Sequence, residues 1–246
     1  MNFTENLNML KEQKNISQEQ ANGFLYASST ERNLDRPKNI DLKIGTAHEL
    51  VIEKTDGDKI QVIASSNKLS FINQQVKVKF NESKRDMDIV VKHTSDLSDL
   101  ASLENLFILV RIPEKFVADI ELNAELENLE IRDIVFDSIE FDGKVKNVFV
   151  TNISGLIELN TNSNINLKVN GAKGKIDLNH LHAVSKISFA EGQNYYLKNA
   201  GRFTRFVDSN ANVIFGKREK HDPHVATDLI VELNGWKSEA QILQEA

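Results

Sequence analysis

Residues 120–179 read IELNAELENLEIRDIVFDSIEFDGKVKNVFVTNISGLIELNTNSNINLKVNGAKGKIDLN, and one short word keeps returning in them. Ile120-Glu121-Leu122-Asn123 aligns with Ile139-Glu140-Phe141-Asp142, Ile157-Glu158-Leu159-Asn160 and Ile176-Asp177-Leu178-Asn179, in steps of 19, 18 and 19 residues. A second apolar pair follows in each step as Leu129/Ile131, Val148/Val150, Leu167/Val169 and Ile187/Phe189. A third position recurs as Ile134, Ile153 and Ala172. Strand-like alternation inside a period of this length predicts a solenoid, each coil laying its strands on those of the coil before. The alternation also assigns the faces: Ile120, Leu122, Leu129 and Ile131 point inward, Glu121 and Asn123 toward water. The expected fold is mainly β, a parallel β-solenoid with about 18–19 residues per coil.

Upstream, the same period of two runs through Ile40-x-Leu42-x-Ile44, Leu50-x-Ile52, Ile60-x-Val62, Val76-x-Val78-x-Phe80 and Met87-x-Ile89-x-Val91. Asp56-Gly57-Asp58 and Asn81-Glu82-Ser83 supply turn chemistry between these strands. Residues 95–106 (SDLSDLASLENL) are compatible with a brief helix, after which Phe107–Val110 resumes the strands up to Pro113. Downstream, Tyr195, Tyr196, Phe203, Phe206 and Val213–Phe215 make the tail more aromatic than the coils. A solenoid needs an atypical last unit to cover its open end, so the tail is expected to be final strands and a cap. Ser238–Ala246 reads as a short terminal helix with Trp236 as its anchor.

The first 33 residues follow a different rule. Phe3, Leu7 and Leu10, then Ala21, Phe24 and Leu25, recur at helical spacing, and Ser17 with Gln20 forms a capping-box pattern. Pro37 then disfavours helix at Arg36. The expected organisation is a helical hairpin and linker (1–38), N-terminal strands (39–112), regular coils (113–190) and C-terminal strands with a cap (191–246).

Composition bounds the function. The 246 residues carry 30 Lys and Arg against 36 Asp and Glu, a net charge of −6, which argues against a protein built mainly to hold nucleic acid. With no cysteine, disulfides, thiolate metal sites and thiol catalysis are excluded. No stretch reaches the roughly 20 apolar residues of a membrane span. MNFTENLNMLKEQKN lacks the apolar core of a signal peptide, so a cytoplasmic location, at most peripheral to a membrane, is expected.

The stretch LFILVRIPEKFVADIELNAELENLEI (106–131), with the coils that follow it, resembles the bacterial β-strand-repeat family of adhesin-type domains of unknown function. Val110-Arg111-Ile112-Pro113 matches that family's strand end, and the resemblance covers about residues 40–235. It implies a β-solenoid without known catalytic residues, in a family some of whose members accompany cell-envelope stress systems. In the head, Leu10–Gln20 is similar to the opening of phage-repressor-type helix-turn-helix domains, with Leu25-Tyr26-Ala27-Ser28 where a recognition helix begins. Met9-Leu10, Ile16-Ser17, Glu19, Ala21, Phe24 and Leu25 also resemble the helical hairpin that precedes this repeat domain, which is the favoured reading. Residues 1–38 hold five basic and five acidic side chains, without the positive excess that DNA phosphates demand.

No nucleophile elbow, dinucleotide fingerprint, Walker loop, zincin or EF-hand motif occurs. Gly171-Ala172-Lys173-Gly174-Lys175 only superficially resembles a phosphate loop and is expected to be a turn. His180 and His182 would share a strand face, and His221 and His224 flank Asp222-Pro223; without a third ligand they read as surface histidines. The sharper feature is an acidic column. In-register coils would stack Glu121, Glu140, Glu158 and Asp177 about 4.8 Å apart, beside Asn123, Asp142, Asn160 and Asn179. Such a strip suits a divalent cation or a basic partner. Ten Asn between Asn123 and Asn179 suggest amide ladders along the axis. No cofactor is expected. The expected role is a non-enzymatic interaction scaffold for a protein or envelope partner. The alternatives are a DNA-binding regulator working through the N-terminal head and a polysaccharide-active β-helix enzyme.

Overall fold

The computed structural model describes residues 25–94, 105–215 and 229–244. The first strands are β1 (Tyr26–Asn33), β2 (Lys38–Thr55), β3 (Lys59–Ser66), β4 (Val76–Glu82), β5 (Asp86–His93) and β6 (Phe107–Pro113). The coils are β7 (Val117–Arg132), β8 (Val135–Thr151), β9 (Ser154–Thr161), β10 (Asn166–Asn170), β11 (Lys173–Leu181) and β12 (Val184–Phe189). They are followed by β13 (Tyr196–Asn199), β14 (Arg205–Val207), β15 (Val213–Phe215), β16 (Leu229–Trp236) and β17 (Glu239–Gln244). One helical turn at Ile72–Gln75 and a 3-10 turn at Glu114–Phe116 interrupt them.

All seventeen strands belong to one continuous sheet. It has two arms, because β2, β7 and β8 are long enough to serve both. The first arm runs β4, β5, β2, β7, β8, β9, β11, β16, β13. The second runs β1, β3, β6, β2, β7, β8, β10, β12, β17, β14, β15. Pairing is parallel through the coils and antiparallel at the ends, at β1/β3, β3/β6, β4/β5 and β14/β15. The sheet is therefore mixed, which corrects the expectation of a wholly parallel solenoid. Antiparallel strands end both arms at the N-terminal end of the stack and the second arm at the other, while the first arm closes on the parallel strand β13.

Chain order and spatial order part company at both ends. The β2 strand lies between β7 and the later β5 and β6, while β16 and β17 lie between β11/β12 and the earlier β13/β14.

The core is what the alternation predicts. Ile40, Ile120, Ile139, Ile157, Ile176 and Val231 stack inward from the first arm, and Leu50, Leu129, Val148, Leu167 and Ile187 from the second; all are buried in one cluster. β-Branched side chains suit this pleated, closely packed surface, and each buried Ile or Leu contributes about 1.5–3 kcal/mol. Asp133 (φ 52°), Asn152 (φ 51°) and Gly171 (φ 64°) turn the chain in successive coils. Their residue types tolerate that left-handed geometry, and the Asn152 amide donates to Asp133 Oδ1 at 3.0 Å. The phosphate-loop look-alike is thus a corner.

Two further expectations need correcting. Tyr26-Ala27-Ser28, placed with Leu25 at the start of a recognition helix, belongs to the strand Tyr26–Asn33, which pairs antiparallel to β3. The rest of the predicted hairpin lies outside the described residues, as do residues 95–104 of the brief helix. Residues 239–244, read as helix, form β17, because pairing with Val184–Phe189 overrides the local helix propensity of EAQILQ.

Candidate functional site

The sequence word places its acid on the outer side of the first arm, one per coil. Registers align Glu121 with Glu140, Glu140 with Glu158, and Glu158 with Asp177. The column is longer than the repeat suggested. Asp41 and then Asp88 extend it beyond Glu121, and Glu232 extends it beyond Asp177, with Lys198 closing that end. These extra members carry the same word, as Ile40-Asp41-Leu42 and Val231-Glu232-Leu233-Asn234, but long insertions hide them from a periodicity search.

The two ends differ electrostatically. At the C-terminal end Asp177 and Glu232 are buried, and lysines neutralise them. Lys175 Nζ lies 2.9 Å from Asp177 and 3.1 Å from Glu232, and Lys198 Nζ lies 2.7 Å from Glu232. Burial alone would raise the Glu232 carboxyl, but the bonds from Lys198 and Lys175 outweigh it and hold it below the usual range.

In the middle, amides replace cations. Asn160 Nδ2 donates to Glu140 at 2.9 Å, Asn179 Nδ2 to Glu158 at 2.6 Å and Asn234 Nδ2 to Asp177 at 2.6 Å. Each amide reaches back one coil to the neighbouring column. The device fails at Asp142, which stands where the next donor would be and has no N–H to offer. Glu121 is exposed, and among the described residues it has neither an amide donor nor a salt bridge, only the longer-range charge of Lys43. Asp41, Asp86, Asp88, Asp119, Glu121 and Glu140 surround a depression of about 420 Å³ at this end. Lys43 pairs with Asp41 at 2.5 Å, and Ser138 Oγ donates to Asp119 at 2.6 Å.

The carboxylates stack in a line and do not converge. Among the described residues no three His, Asp or Glu side chains form a group that could hold a metal ion.

Other polar networks tie strands together. Asn166 donates to Asn147 and Asn147 to Asn128, both at 2.9 Å, along the second arm. Glu53 receives Arg111 at 2.7 Å and Arg132 at 2.8 Å, joining β6, β2 and β7. Burial raises that carboxyl, and the two guanidinium groups more than reverse the effect.

The histidines part ways. His180 is fully buried, with Nδ1 3.2 Å from Ser185 Oγ and no partner for Nε2 among the described residues. Burial lowers it to about 4. His182 is exposed on a left-handed corner (φ 54°), so the two do not share a face as expected, because the strand ends between them. His221 and His224 lie outside the described residues.

A family model described as Toastrack DUF4097 matches residues 38–198. Among solved structures, a candidate cell adhesion protein of Clostridium sporogenes is 13% identical, with 89% of this chain and 100% of that chain covered and a TM-score of 0.41. A candidate adhesin of Bacteroides fragilis is 11% identical, covering 89% and 97%, with a TM-score of 0.41. No curated protein matches.

Proposed function

The chain belongs to the Toastrack DUF4097 family, and from that premise we propose that it is a non-enzymatic, adhesin-like binding module whose recognition surface is the N-terminal half of the acidic column, where Asp41, Asp86, Asp88, Asp119, Glu121 and Glu140 surround one depression beside a single salt-bridged lysine, Lys43. The carrying observation is the contrast along one ladder: Asp177 and Glu232 are held by direct lysine salt bridges, whereas Glu121 makes no salt bridge among the described residues and shares with Asp88 the longer-range charge of Lys43, which is bonded to Asp41. Carboxylates about 4.8 Å apart repel, and a Lys- or Arg-rich partner surface relieves that repulsion. A linear array without convergence favours a basic macromolecular surface over a chelated cation.

The test compares the full chain with its Asp41→Asn/Glu121→Gln/Glu140→Gln variant for binding to a fluorescent lysine-rich peptide. Tight, salt-sensitive binding by the parent and at least tenfold weaker binding by the variant supports the reading. Equal binding removes it. If millimolar Ca²⁺ raises the melting temperature of the parent alone, the column is a cation strip instead.

A further inference from the structure

A second corner of the coil stack is built against its own backbone preference. His182 (φ 54°), Lys237 (φ 50°) and Phe203 (φ 58°) occupy equivalent left-handed positions in successive coils. The His182 N–H donates to the Trp236 carbonyl, and the Lys237 N–H to the Arg202 carbonyl. At the other corner the same geometry is filled by Asp133, Asn152 and Gly171, residue types that tolerate it. An aromatic or long side chain in this conformation costs about 1 kcal/mol or more, and such strain marks positions where the side chain itself is needed.

Those side chains form a patch. Phe203 is 65% exposed, Val184 50% and Leu181 47%, and Leu181, Trp236 and Arg202 stand in register. The Trp236 and Phe203 rings meet edge to face at 5.3 Å. The Arg202 guanidinium lies 5.0 Å from the indole centre and 5.3 Å from the Phe203 ring, with Lys237 Nζ 5.9 Å from the indole. Neither cation has a carboxylate partner among the described residues; the nearby Glu239 is engaged by Arg205 at 2.6 Å.

We propose that this corner is a docking surface for an anionic membrane, with Phe203, Leu181 and Val184 entering the headgroup boundary and Arg202 and Lys237 binding lipid phosphates. Apolar side chains ringed by cations and an indole are what that interface takes. A sugar platform would need the indole face that the cations already occupy. The position in the fold agrees. Glu121, which lacks a direct salt bridge among the described residues, lies four coil steps from Glu232, about 19 Å, which exceeds two Debye lengths of about 8 Å at physiological salt. The nearby Glu239 is itself neutralised by Arg205. This site goes beyond the binding role proposed for the column and stands independently of it.

The full chain carries a single tryptophan, so its emission reports on this patch alone. Vesicles of phosphatidylglycerol and phosphatidylcholine are expected to pellet the protein and shift Trp236 emission to shorter wavelength, with quenching by brominated lipid; pure phosphatidylcholine is expected to do neither. Phe203→Asn places a residue suited to the left-handed corner, so it is expected to melt no lower than the parent yet bind about tenfold more weakly or worse. Lys237→Asn and Arg202→Gln are each expected to weaken partitioning about fivefold. The proposal is overturned if the parent does not pellet, if it pellets with unshifted emission, or if Phe203→Asn and Lys237→Asn both bind like the parent. An equal emission shift with polyglutamate would make the corner a site for acidic proteins and would also overturn it.

Discussion

The side-chain amide of Asn179 donates to Glu158 of the preceding coil at 2.6 Å, and at the same time to Asn160 at 2.8 Å. One half-buried group thus ties two columns and two coils together. Asn179→Asp replaces the donor by a third acceptor beside a carboxylate. It is expected to lower unfolding free energy by about 1–3 kcal/mol, read as a reduced urea midpoint at unchanged slope.

Lys175 serves two buried acids, Asp177 and Glu232. Since Glu232 titrates below its ordinary value when folded, its contribution is present at neutral pH and is lost as pH falls through that lowered value. Lys175→Met is expected to cost about 1–3 kcal/mol at pH 7. Melting curves from pH 7 to pH 3 should converge with those of the parent at the acid end.

His180 sets a second pH dependence. Folded, it titrates at about 4; unfolded, at about 6.5, so between these values the unfolded chain binds the extra proton. Stability is expected to fall by up to about 3 kcal/mol as pH drops through that window. His180→Leu should flatten the melting temperature across it, and an unchanged slope would assign the effect to other groups.

Gly143 packs against the coil below so closely that an added Cβ would lie 1.9 Å from the Ala124 carbonyl oxygen, at a φ of 149°. Gly143→Ala is expected to cost more than about 3 kcal/mol. Gly57→Ala, whose nearest contact would be 3.9 Å, should stay within about 1 kcal/mol of the parent in the same denaturation experiment.

Much of this was legible in the residues. The recurring word set the register of Glu121, Glu140, Glu158 and Asp177 before any coordinates, because a period of two inside a period of 18–19 leaves one way to bury the repeated apolar positions of each coil. Asp41, Asp88 and Glu232 escaped because their strands join the column across insertions that erase the period. The second corner escaped for another reason: a left-handed Phe203 or Lys237 leaves no sign in composition, since the types that advertise such a bend are Gly, Asn and Asp. The terminal strand β17 was misjudged where a partner over fifty residues away decided the local conformation.

Because β16 and β17 slot beneath strands that precede them in the chain, the stack cannot be completed in the order of its synthesis. On a ribosome, β11 and β12 would emerge, then β13 and β14, whose seats on the stack do not yet exist. A nascent chain halted before residue 229 would keep β11 on β9 and β12 on β10 but leave β13 and β14 without the strands they pair with in the stack. β13 and β14 therefore find their places only after β16 and β17 have been made.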